Sequence, residues 1–179
     1  MTAPWQKTFR AFAGPGIERS SDSLRVSDDE AQVILADLAP LTWSPPDYVG
    51  SERHRDYSIC HAREAYATAL FGIDGIVGFY AGSYLWIARA HRGIGLSTPL
   101  ILAAVEQRGG TVLPPGVVVQ GYTPTGLAAH RAAHHHAIRT ALAAGRPVPT
   151  SVTAELRRDA RSDHGNAPSR RNANRPNVP

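Results

Sequence analysis

The chain has 179 residues, 42% of them hydrophobic and 7% aromatic, with nineteen basic against fifteen acidic side chains for a net charge of +4. That length suits one domain, and the composition is globular with an aliphatic, alanine-rich core rather than disordered. Cys60 is the lone cysteine, which excludes a disulfide framework or a multi-cysteine zinc site and fits a reducing compartment. The most apolar stretch, residues 72–88, is broken by Asp74 and several glycines and falls short of the ~20 apolar residues of a bilayer span. No apolar run follows Lys7 and Arg10 as it would in a secretory signal, so the expected location is the cytoplasm, with no membrane partner.

In chain order, residues 1–22, rich in Pro, Gly and Ser, predict a loose leader, 23–156 the folded domain, and 157–179 a disordered basic tail with almost nothing apolar to bury. Ser27 opens a helix: Ser27 and Glu30 form an S-x-x-E capping box, Asp28 and Asp29 suit the positive helix start, and Val33, Ile34, Leu35 and Leu38 supply an apolar side. After a loop around Pro45, Pro46 and Gly50, β-type segments at about 57–61, 65–71, 76–80 and 84–88, punctuated by Gly72, Asp74-Gly75 and Gly82-Ser83, predict an antiparallel meander. A helix over 97–107 tolerates Pro99 in its first turn and stops at Gly109-Gly110. Val117 to Val119 reads as a buried strand, 126–144 as a long alanine-rich helix, and 151–154 as a short strand.

Charge is segregated along this order. Residues 1–74 carry eleven acids against seven bases, whereas 75–156 carry only Glu106 and Glu155 against six arginines, and 157–179 six arginines against two aspartates. Such asymmetry between segments hints at partners. Contact with nucleic acid through the tail is the secondary expectation beside a plain solubilising extension.

The chemistry concentrates where the segment 85–88 feeds Arg92, Gly93, Ile94, Gly95, Leu96, Ser97 and Thr98. A strand, a glycine turn and a helix start present unpaired backbone N–H groups and a positive dipole end to an anion, and Arg92 adds fixed charge. The alternative is an unliganded turn. No Lys-Ser or Lys-Thr follows the glycines as in a Walker loop, and Thr98 stands where a dinucleotide fingerprint needs its third glycine.

Arg92, Gly95 and Ser97 resemble the Arg/Gln-x-x-Gly-x-Gly/Ala turn of the GNAT superfamily of N-acetyltransferases, with Ile87 where that family ends its central strand. The resemblance covers roughly 57–144. It implies an α+β fold with a mixed, mostly antiparallel central sheet flanked by helices, and acetyl-CoA or another acyl-CoA as co-substrate. It also implies an amine acceptor attacking the thioester directly. By that pattern, backbone groups around Ile87 and Arg89 pair with the pantetheine arm, while amides from Arg92 to Ser97 hold the pyrophosphate and the Ser97 and Thr98 hydroxyls can add donors. Three positions depart from it: Ser97 replaces Gly or Ala, Arg89 replaces a common proline, and the family's Tyr-Glu-Lys-x-Gly-Phe is absent.

That absence leaves Tyr122 and His130 as the catalytic candidates, each with an alternative in packing. His130, His134, His135 and His136 form a row for which a solvent- or interface-facing position is expected; with no acid or cysteine nearby as a third ligand, no metal is expected. Trp86 is expected in the core, Glu64 and Asp74 as surface charges or an amine-facing base, and Cys60 as buried and inert. Alternatives to an acyltransferase are a non-catalytic binding module of the same fold and a nucleic-acid-associated basic protein. A homodimer is compatible with all three.

Overall fold

A computed structural model describes residues 2–48, 54 and 56–165. Its elements are α1 (Phe9–Ala13), α2 (Asp28–Leu38), β1 (Asp47–Tyr48), β2 (Ser58–His61), β3 (Ala67–Gly72), β4 (Gly75–Ala81), β5 (Tyr84–Ile87), α3 (Ser97–Gln107), α4 (Pro124–Ala143) and α5 (Thr150–Gly165). The architecture is α+β. The five strands pair antiparallel in sequence order, so β5 is an edge. Two-residue loops join β3 to β4 and β4 to β5, as the register Gly72↔Gly75 and Ala81↔Tyr84 requires.

Side chains of β3 and β4 alternate between two packed faces, which makes both strands nearly continuous runs of buried residues. On one face Leu70 and Tyr80 meet α1, α3 and α4 through Phe9, Phe12, Leu100, Ile101, Val105 and Ala133. On the other, Ala67, Phe79 and Trp86 meet α2 through Ala31 and Leu38. The capping box forms: Ser27 Oγ accepts from Glu30 N at 3.1 Å, and Ser27 N donates to Glu30 Oε2 at 2.8 Å. No helix among the described residues is long and apolar enough to cross a membrane.

Four sequence expectations are corrected. The leader is not loose: Thr8 caps α1, and Phe9, Phe12 and Ala13, at i, i+3 and i+4 spacing, bury one face of it completely. Val117 to Val119 is no buried strand, because a run of valines without a partner gains no ladder; Val118 is 80% exposed, and Tyr122 makes only an isolated parallel bridge to Ser20. Residues 151–154 are helical, since Val152, Glu155 and Asp159 share one face of α5 that packs inward. The tail boundary at 157 therefore falls inside α5, and residues 166–179 lie outside the described residues.

Phe12→Ala is expected to cost ~3–5 kcal/mol in urea unfolding, the price of a large core aromatic. A loss under 1 kcal/mol would mean that α1 is peripheral.

Candidate functional site

The main chain of β5 decides what its free edge offers. Ala88 N donates to Val77 O at 2.8 Å. In an antiparallel ladder this makes Tyr84, Trp86 and Ala88 the residues bonded to β4, and turns the N–H and C=O of Leu85 and Ile87 outward. The Ile87 carbonyl is taken by Arg92, whose Nε donates to it at 2.6 Å. Arg92 Nη2 lies 3.4 Å from Asp28 Oδ1, which also accepts from Trp86 Nε1 at 3.0 Å. One carboxylate of α2 thus orients both the strand's indole and the turn's guanidinium, an anchor the sequence pattern did not suggest.

Beyond β5, a single 3-10 turn over Arg89–His91 leads into Gly93 at φ +78° and Gly95 at φ +89°. Both are left-handed conformations that favour glycine. Buried Leu96 then anchors the start of α3, whose first turn has no side-chain cap, so the amides of Ser97 and Thr98 face outward without a helix partner. Two side chains brace the turn: His54 Nε2 is 2.6 Å from the Ile94 carbonyl, and Tyr57 Oη is 2.8 Å from His91 Nδ1.

Opposite this edge lie Tyr122, Thr123 and the start of α4, where Thr123 Oγ1 accepts from Gly126 N at 2.9 Å. Between the two walls runs a groove of about 360 Å³ lined by Leu85, Ile87, Arg92 and Ser97 on one side and Thr123 and Gly126 on the other, with Arg25 also lining it. No carboxylate lines it.

Tyr122 and His130 border the groove, but the structure gives both internal partners in place of the expected catalytic exposure. Tyr122 is buried and donates its hydroxyl to the Ala13 carbonyl at 2.6 Å. Burial pushes the phenol up, against a weaker opposing pull from Arg108. His130 Nδ1 is 2.7 Å from the Gly126 carbonyl, which accepts and so fixes the proton on Nδ1; Nε2 then accepts from Tyr80 Oη at 2.8 Å. Burial holds this imidazole down to about 4, the Gly126 carbonyl opposing and the Arg108 charge reinforcing it.

The histidine row is likewise not solvent-facing. His134 is buried between Phe9 and Phe12, its Nε2 2.8 Å from the Lys7 carbonyl, and burial lowers its pKa. His135 Nε2 and Arg131 Nη1 meet Asp159 Oδ2 at 3.0 and 2.5 Å; only His136 is exposed. On an alanine-rich helix the imidazoles fill the volume that larger apolar side chains supply elsewhere.

Trp86 is buried and stacks on Phe79, with ring centroids 5.6 Å apart. Cys60 is buried, which pushes its thiol up. Glu64 and Asp74 are exposed, and Glu64 accepts from Thr42 N at 3.3 Å, away from the groove. Among the described residues no cluster of three or more His, Cys, Asp or Glu is placed to hold a metal ion.

No family model matches the chain, and neither does any curated protein or solved structure.

Two outcomes follow from the buried pair. Tyr122→Phe leaves the Ala13 carbonyl without its donor and is expected to cost ~1–3 kcal/mol of stability, read by urea unfolding. His130 is near 6.5 when unfolded and about 4 when folded, so its contribution is complete above pH 6.5 and lost as pH falls towards 4. Between pH 7 and pH 5 the loss from this group is about 2 kcal/mol. His130→Gln should flatten that part of the pH profile; an unchanged slope would place the titration elsewhere.

Proposed function

We propose that the groove binds acetyl-CoA or another acyl-CoA, and that the protein is a GNAT-like N-acyltransferase moving the acyl group to an amine. The observation that carries the proposal is continuity: the outward main-chain groups of Leu85 and the outward N–H of Ile87 lead, through the Arg89–His91 turn, to Gly93–Gly95 and the uncapped amides of α3. An acyl-CoA has the complementary order, amides in its pantetheine arm followed by a pyrophosphate. No carboxylate lines the groove, and Arg25 and Arg92, which do, each meet an aspartate outside that lining at 3.4 Å, Asp22 and Asp28, while keeping further N–H donors that suit those phosphates.

The chain's own work is then chiefly positioning. Outward N–H groups of β5 polarise the thioester carbonyl. The amine nitrogen bonds to the carbonyl carbon, the C–S bond breaks, and the sulfur leaves as a thiolate. With Tyr122 bonded to Ala13 and His130 to Gly126 and Tyr80, the proton lost by the amine and the one gained by the thiolate exchange through solvent in the open groove. The same engagement favours a second reading, a module that binds acyl-CoA without turning it over.

At a hundredfold excess over Kd, acetyl-CoA should add ~2.7 kcal/mol to stability, read as a rise in Tm. Ser97→Asp places a charge that suits a helix start but repels pyrophosphate. This variant is expected to keep the wild-type Tm and lose the acetyl-CoA shift. Gly95→Val is a poorer probe, because φ +89° would strain the turn as well. An unaltered Tm at millimolar acetyl-CoA overturns the proposal; a shift without acyl transfer to any amine in a panel selects the binding module.

A further inference from the structure

A second cavity, of about 490 Å³, lies at the other end of α3, between the N-terminal segment and α4. Its volume falls in the ~300–1,000 Å³ range of small-molecule sites. Trp5 and Arg146 form one wall, with the guanidinium carbon 4.8 Å from the indole centroid. Glu106, the only carboxylate between residues 75 and 154, lines it together with exposed His136.

Lys7, the chain's single lysine, stands next to one lining residue. Its Nζ is 3.3 Å from the position a Cβ would take on Gly110, a lining residue. Among the described residues no carboxylate pairs with that ammonium, and partial burial lowers its pKa. The position is tightly built: a Cβ on Gly110, which sits at φ +94°, would lie 2.1 Å from the Thr2 carbonyl oxygen. Only glycine lets the N-terminal backbone close this wall.

An aromatic ring paired with a guanidinium, a second cation without a counter-ion and one carboxylate define a recognisable ligand chemistry. Indole and guanidinium planes stack bases, an ammonium takes a phosphate as a point charge, and a carboxylate accepts from the amino edge of a base. Guanine offers a carboxylate two adjacent donors, its ring N1–H and its exocyclic amine; adenine offers only the exocyclic amine on that edge. We propose that this cavity binds a guanosine nucleotide, free or carried in single-stranded RNA, with the base stacked on Arg146 and Trp5, its amino edge on Glu106, and its phosphate on Lys7. The proposal is independent of the acyl-CoA groove, which lies at the opposite end of α3. It also accounts for the one lysine and the one isolated carboxylate of the central segment.

The test uses the full chain, with GMP and AMP titrated by calorimetry and a fluorescein-labelled octameric RNA containing guanosine followed by anisotropy. GMP is expected to bind more tightly than AMP. Arg146→Ala and Lys7→Gln, both outside the core, should keep the wild-type Tm and each weaken binding at least roughly tenfold. Saturation by GMP alone identifies a free nucleotide as ligand, and binding of the RNA but not GMP identifies a strand; either supports the site. Ser97→Asp should bind GMP as the wild type does, even if it has lost acetyl-CoA, so the two proposals fail separately. The assignment is overturned if neither probe binds at millimolar GMP or micromolar RNA, if the Arg146→Ala/Lys7→Gln double variant binds normally, if AMP binds as well as GMP, or if Ser97→Asp abolishes GMP binding.

Discussion

The guanidinium of Arg108 is buried, and among the described residues no carboxylate stands against it. An isolated buried cation costs several kcal/mol unless dipoles replace its water. Here main-chain carbonyls do so for the two terminal nitrogens, while among the described residues buried Nε has no acceptor: Nη2 donates to Tyr80 at 3.1 Å and Tyr66 at 3.3 Å, Nη1 donates to Val112, and the guanidinium lies 4.3 Å from the Tyr80 ring centroid. Those contacts pin the end of α3 to β4 and to the chain preceding β3. Tyr80 passes the constraint on through its bond to His130, and the His130 ring lies 4.9 Å from that of Tyr122, which holds Ala13. Sheet, α1, α3 and α4 therefore share one polar spine, and the wall of the groove opposite β5 is its outer end.

That spine explains why the residues best placed to look catalytic in the sequence are structural in the fold. A tyrosine after an extended segment and a histidine one turn into a helix have the right types and spacing for proton transfer. Sequence spacing cannot say that the Ala13 carbonyl, 109 residues away, takes the Tyr122 proton, or that the Tyr80 hydroxyl, fifty residues away, occupies His130 Nε2. The turn from Arg92 to Ser97, the start of α2 and the β-hairpins were legible because their cues are local: the glycines and Pro99 at the turn, the S-x-x-E box at α2 and the two-residue loops of the meander all act within a few residues. The leader, the valine run and α5 were not, since each is decided by a distant partner or its absence. Phe9 and Phe12 are buried because the rest of the chain, His134 of α4 included, supplies a surface for them. Arg108 and Tyr80 carried no signal beyond their residue types, and Asp28 only that of a helix start.

Charge segregation acquires a geometric meaning in three dimensions. α3 spans eleven residues, and at 1.5 Å per residue Ser97 and Glu106 stand about 14 Å apart along its axis. Its N-terminal end, uncapped, faces a groove that no carboxylate lines; its C-terminal end brings the segment's isolated acid to a cavity that Arg146 also lines, with Lys7 next to its Gly110. One helix thus divides two electrostatically different pockets, and the macrodipole reinforces the difference at both ends.

The N-terminal segment closes onto the last helices of the chain: the Lys7 carbonyl meets His134 across 127 residues, and Phe9 N donates to Glu155 across 146. On the ribosome the aromatic pair of α1 therefore emerges long before the surface that shelters it exists. Until α4 and α5 follow, Phe9 and Phe12 are sticky, and the core cannot be completed in the order in which it is synthesised. Such distant contacts slow folding and lengthen the exposure of apolar surface. Stalled or prematurely terminated nascent chains of this protein should thus be far better clients for hydrophobic-binding chaperones than the finished molecule.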